Sequence, residues 1–166
     1  MSRVDLALQH IIFCRDYSRR LIDSIPEADW YVMPPGCATH IGWQVGHITM
    51  AQFRLALLRT RGPQPGDEAI VPPEYITLFG KDSIPQVDSS LYPSPSEIRQ
   101  VYDRVHQHVL REVPNFPDAD WDLPPYGEHP LAKTRGECLM WTGRHEMLHA
   151  GQIGLLRRLF GMAPQW

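Results

Sequence analysis

The sequence has 166 residues, 43% of them hydrophobic and 21% charged, with a formal net charge of −3. That length suits one globular domain with a substantial core. The slightly acidic balance excludes an electrostatic case for nucleic-acid binding, which wants a basic surface.

The opening residues Met1-Ser2-Arg3-Val4-Asp5 mix charges, and no run approaches the ~20 apolar residues of a membrane helix. Neither a signal peptide nor a membrane partner is therefore expected. Cys14, Cys37 and Cys138 form no Cys-x-x-Cys pair, so reduced thiols in a cytoplasmic protein are the expectation.

The first helix is predicted from about Val4 to Ser24, with Ser2 and Asp5 spaced as a capping box. Val4, Leu8, Ile11, Cys14, Ser18, Leu21 and Ile25 form its apolar stripe. Pro26 ends it. A second helix is predicted from about His40 to Arg61, with Thr39 as N-cap and Gly62-Pro63 as the stop. Gln44, His47, Ile48, Ala51, Leu55 and Leu58 share one of its faces.

The connector Gly62 to Pro93 is about thirty residues long and proline-rich, too long for a simple turn. It predicts a crossover that leaves the second and third helices parallel, with a short helix in Pro73–Phe79. Ser94-Pro95-Ser96-Glu97 caps the third helix, whose stripe is Ile98, Val101, Tyr102, Val105 and Val109. After a second proline-rich link, Pro114 to Lys133, Thr134 and Glu137 cap the fourth. Its stripe reads Cys138, Thr142, His145, His149, Ile153, Leu156 and Phe160, and Gly161 then Pro164 stop it. Strand signals are weak, so the predicted fold class is all-α: one four-helix-bundle domain over residues 1–166 with a long crossover between helices two and three.

The sharpest local feature is His145-Glu146-Met147-Leu148-His149. Histidines four apart lie one turn apart on one helix face, so both imidazoles can reach one metal ion. Their place on an apolar stripe needs a partner for each ring nitrogen. Two core histidines satisfied by polar neighbours are the structural alternative. The string also reads His-Glu-x-x-His, in which Glu146 is a candidate catalytic general base. Metalloproteases with that motif mostly take a third ligand downstream, but Ala150 to Trp166 contains no His, Asp, Glu or Cys.

A third ligand must then come from upstream, and His47 on the stripe of helix two is the candidate. His40 is expected nearer the surface, and His108 sits near the stripe of helix three. Surface positions are expected for His10, His106 and His129. Gln44 and Gln152 share faces with His47 and His149 and are candidates to orient the ligand imidazoles. Gly151 and Gly154 suggest close helix packing.

Ile41-Gly-Trp-Gln-Val-Gly-His47-Ile48, Tyr92-Pro-Ser-Pro-Ser-Glu97 and His145-Glu-Met-Leu-His149-Ala-Gly-Gln-Ile153 resemble the second helix, the opening of the third and the closing helix of the DinB-like superfamily. This family of metal-dependent enzymes is named for DNA-damage-inducible B proteins. The resemblance runs over nearly the whole chain. It implies a four-helix bundle and one divalent metal held by His47, His145 and His149, with an open coordination position. Three protein ligands plus an open position is the catalytic arrangement for zinc; nickel and iron also suit imidazole. Some relatives use a low-molecular-weight thiol as cofactor.

The expected function is a metal-dependent transferase or hydrolase acting on a small-molecule substrate, in a homodimer. The alternative is a non-catalytic metal-binding bundle that acts through dimerisation. The open face of the metal is expected to be walled by connector residues Tyr75, Leu78, Phe79, Trp121, Leu123 and Tyr126, forming an apolar pocket.

Overall fold

The computed structural model describes residues 1–165. Ser2 accepts the Asp5 backbone N–H while the Asp5 carboxylate accepts the Ser2 N–H, and α1 runs Arg3–Asp23 behind this box. Helix α2, Ile41–Phe53, is capped by His40 and not by Thr39: His40 Nδ1 accepts the Trp43 N–H at 3.1 Å. Thr39 is otherwise engaged, its hydroxyl accepting from Gln44 Nε2. His40 is also fully buried, edge-on to the stacked rings of Tyr31 and Tyr92 at 5.2 and 5.0 Å, which corrects the surface placement.

Beyond Phe53 the helix opens into a π-turn, Arg54–Leu58, in which the Arg59 N–H reaches the Arg54 carbonyl. It then closes as α-helix over Arg59–Arg61. Gly62 ends it at φ 79°, a conformation that favours glycine. The crossover holds two short helices, α3 (Asp67–Ile70) and α4 (Glu74–Phe79). Helix α5, Pro95–Glu112, and helix α6, Arg135–Leu159, each start behind a full capping box, Ser94/Glu97 and Thr134/Glu137. Among the described residues there is no strand, and no helix is long and apolar enough to cross a membrane.

Side-chain pairs give the directions of the four long helices. Arg99 reaches Asp23 and Arg19 reaches Asp103, so α1 and α5 are antiparallel. Glu146 meets Arg15 and Arg157 meets Ser24, so α1 and α6 are parallel. His40 packs on Tyr92 at one end and Arg61 pairs with Glu112 at the other, so α2 and α5 are parallel. Gln44 to Gln152 and His47 to His145 make α2 and α6 antiparallel. The crossover must therefore run back along the bundle. It does so with α4 packed on α2 and Ile70 held by Arg104 of α5.

The core is continuous through the bundle. Ile11, Leu21, Trp30, Ile41, Val45, Ile48, Phe79, Val105, Leu139 and Ile153 are all buried. Each full side-chain burial of this kind contributes about 1.5–3 kcal/mol. Close approach is made at glycines other than those expected. A Cβ on Gly46 would fall 2.5 Å from the Phe79 ring, whereas Gly151 and Gly154 face open space.

Candidate metal centre

His47 projects from the buried face of α2, where Gly46 lets Phe79 of α4 lie against the helix. The Phe79 carbonyl comes to 2.6 Å from His47 Nδ1. A carbonyl only accepts, so Nδ1 carries the proton and Nε2 keeps its lone pair. The Trp43 indole stacks on the His47 ring at 4.7 Å, and its own N–H donates to Ser83 Oγ at 2.8 Å. These contacts hold the imidazole from behind and from one face.

His149 is set in the same way by a different device. Its Nδ1 lies 2.6 Å from Gln44 Oε1. The Gln44 amide nitrogen donates to Gln152 Oε1 at 2.7 Å and Thr39 Oγ1 at 2.9 Å. That leaves Oε1 as the acceptor facing His149, whose Nε2 is then the free nitrogen. Gln44 thus touches the imidazole directly, and Gln152 acts one bond further out.

His145 completes the group, one turn before His149, with its Nε2 at 3.3 Å from His47 Nε2. Each of the three histidines offers a ring nitrogen, and these lie within 4.8 Å of one another. The 3.3 Å separation is close to the edge of a tetrahedron built on metal–nitrogen bonds of ~2.0–2.1 Å. Burial pushes His145 down to about 4 and His149 to about 3, helped by their neighbouring imidazoles. Burial lowers His47 as well, against the pull of the Phe79 carbonyl. At neutral pH all three are uncharged, the form a metal ion requires of imidazole. The donor set fits a divalent ion with three nitrogen ligands.

Glu146 lies elsewhere. It is 2% exposed, at the centre of the α6 face turned to α1. Its two carboxylate oxygens meet Arg15 Nε at 2.9 Å and Arg15 Nη2 at 3.1 Å. Arg15 also donates to the Tyr102 carbonyl and lies over the Tyr102 ring, 3.7 Å from its centroid. Burial pushes the Glu146 carboxyl up, while Arg15 and the Ser18 and Tyr102 side chains pull against it. A carboxylate committed to a buried guanidinium is not placed as a general base. The expectation of a catalytic Glu146 is corrected on that ground.

A cavity of about 310 Å³ opens beside His47 and His145. Its other walls are Met50, Ala51, Arg54, Leu55, Arg59, Lys81, Glu128, His129 and Pro130. Both proline-rich connectors frame it, but through Lys81 and Glu128–Pro130. Tyr75 and Phe79 are buried away from this opening, their rings edge to face at 4.9 Å. Trp121 packs on Gly136 and under Arg3, and Tyr126 packs on Gly62 and under Arg135. The expected aromatic wall is thus replaced by one in which Met50, Ala51, Leu55 and Pro130 stand beside Arg54, Arg59, Lys81 and Glu128.

Sequence reasoning missed Arg54, although it lies seven residues from His47 and hence two turns along the same face. It had no signal for Lys81, Glu128 or His129, which loops deliver. His106 is buried on α5, not at the surface, and His108 pairs with Glu112 away from the cluster. Cys138 is fully buried, its thiol raised to about 11 by burial, and it does not join the convergent group of His47, His145 and His149. A comparison with curated protein sequences returned no match. Residues 10–153 match the DinB superfamily, a span that contains all three histidines, both of their glutamine supports and the crossover. The chain belongs to the DinB superfamily.

Proposed function

We propose that this protein is a divalent-metal-dependent enzyme acting on a small molecule, with Nε2 of His47, His145 and His149 as the ligands. The observation that carries the reading is the convergence of three imidazoles, two of them pinned by Phe79 and Gln44, with His47 and His145 at the wall of a 310 Å³ cavity. A purely structural ion would need no such opening. The cavity volume lies at the lower end of the range for small-molecule sites. A divalent ion held there supplies Lewis-acid polarisation and acidifies a bound water or thiol.

The chain's own residues then divide the work. Phe79 and Gln44 fix the tautomers, Trp43 keeps the His47 ring in plane, and the cavity residues hold the substrate. Zinc is the first candidate, with nickel and iron next, since imidazole suits all three. A transferase that consumes a low-molecular-weight thiol and a hydrolase are the reaction classes proposed.

The test is metal uptake by purified protein, read by mass spectrometry of the metal and by calorimetry. One zinc or nickel per chain is expected, with stoichiometry lost in His145→Ala and His149→Ala. Turnover of ester, amide and alkylating substrates, with and without small thiols, should require that metal. Full metal uptake by a His47→Ala/His145→Ala/His149→Ala chain would sink the assignment. Metal uptake without turnover on any class would favour a structural ion.

A further inference from the structure

The cavity beside the histidines holds more positive charge than its protein partners neutralise. Arg54, Arg59 and Lys81 line it, and Glu128 is the only acidic residue on its wall. Among the described residues neither Arg54 nor Lys81 donates a side-chain hydrogen bond or forms an ion pair. Arg59 gives one Nη2 hydrogen to the Glu128 main-chain carbonyl at 2.7 Å. Its Nε is buried without a partner. Three other arginines in crevices or the core are matched by carboxylates, Arg15 by Glu146, Arg61 by Asp67 and Glu112, Arg135 by Asp120, and buried Arg157 is satisfied by the Ser24 hydroxyl and the Ala163 carbonyl.

The π-turn explains how two of these cations share one wall. Residues five apart on an α-helix point about 140° from one another. The i→i−5 closure from Arg59 N–H to Arg54 O brings the two arginines to the same side. The arrangement works against itself in the absence of a counter-charge. Burial and then the Arg54 charge lower Arg59, and the Arg54 charge also presses on His47 and His129. A cleft lined by one sign of charge concentrates ions of the other sign.

We propose that this cavity binds a small organic anion whose carboxylate or phosphate group is held by Arg54, Arg59 and Lys81 while the rest of the molecule reaches toward the histidines. The catalytic meaning of the site rests on the metalloenzyme reading, but occupancy by an anion does not need the metal. Guanidinium groups pair with carboxylate and phosphate through parallel hydrogen bonds, which suits Arg54 and Arg59, while Lys81 adds a point charge at the rim.

The experiment is titration calorimetry on the full chain, zinc-loaded and after chelation, with malonate, phosphate and uncharged malonamide as probes. Saturable 1:1 binding of malonate or phosphate in both forms is expected, weakening as salt rises, with none for malonamide. Arg54→Gln and Lys81→Gln break no hydrogen bond and should fold normally. Arg54→Gln should weaken binding about tenfold, the loss of one charge-assisted pair. Lys81→Gln should weaken it less, with zinc stoichiometry unchanged in both. Binding of neither anion, or equal binding by wild type and both variants, overturns the proposal. A chain that binds anions but takes up no metal defeats the metalloenzyme reading alone, and one that takes up metal but ignores anions defeats this proposal alone.

Discussion

At the scale of single residues, the buried Arg15–Glu146 pair separates structure from chemistry. Both partners are within 2% of full burial, and their two contacts form one fork. Removing one charge leaves the other uncompensated in the core, a loss of about 3–5 kcal/mol. Glu146→Gln should therefore lower the denaturation midpoint by that order while one metal per chain is retained. Urea unfolding beside metal analysis reads both, and loss of the metal with stability intact would put Glu146 back at the site. Replacing both partners, Arg15→Met with Glu146→Leu, should return part of the stability, since an apolar pair of similar volume often replaces a buried ion pair at little cost. The histidine trio was legible in the sequence because ligand spacing on a helix is local: positions 145 and 149 are one turn apart, and His47 sits on an apolar stripe. The partner of Glu146 lies 131 residues away, beyond any periodicity. Its position on α6, about 100° from His145, pointed to the edge of the metal site or to solvent and gave no sign of a core partner.

At the scale of elements, the α2–α4 contact supports the metal ligands. Phe79 presses on Gly46, and the same residue's carbonyl holds His47. Gly46→Ala should push α4 outward and cost about 1–3 kcal/mol by overpacking, with a weaker metal affinity as the Phe79 carbonyl leaves His47. Gly151→Ala, exposed on α6 with nothing within 4 Å of its new methyl, should be neutral or stabilise by up to about 1 kcal/mol through helix propensity. Thermal melts and zinc titrations of the two variants check the contrast; equal effects would refute it. Helix ends were readable because capping boxes are four-residue patterns, present at Ser2, Ser94 and Thr134. The π-turn was not, because Arg54–Leu58 is an ordinary helical sequence. Which glycines sit in close contacts was also illegible, since that depends on what packs against them.

At the scale of the whole molecule, the bundle keeps several imidazoles neutral in its interior. Burial lowers His40 to about 4 and His106 to about 3, the latter helped by the charges of Arg15 and Arg19. Unfolded, both titrate near ~6.5. Between that value and the folded one, the unfolded chain binds more protons, so stability falls as pH falls. Each group contributes a slope of at most ~1.4 kcal/mol per pH unit. The urea midpoint should drop steadily from pH 7 to pH 4, and His106→Gln should make that drop shallower. A midpoint flat from pH 7 to pH 5 would contradict it. The topology was legible from connector length alone, because about thirty residues are too many for a hairpin and enough to run back along a helix of ~30 Å. What the returning loops carry to the cavity was not. The widened turn in α2 bears on how such a bundle can diversify. A π-turn holds one residue more than the α-helix it interrupts, so the face shown after it is set by an insertion rather than by a substitution. Deleting one residue from Arg54–Leu58 would rotate everything through Arg61 by about 100° and swing Arg59 off the wall, leaving His47 and the rest of the metal centre where they stand. In this architecture the charge offered to a substrate and the ligands offered to a metal can change independently along one helix, the first by chain length and the second by side chain.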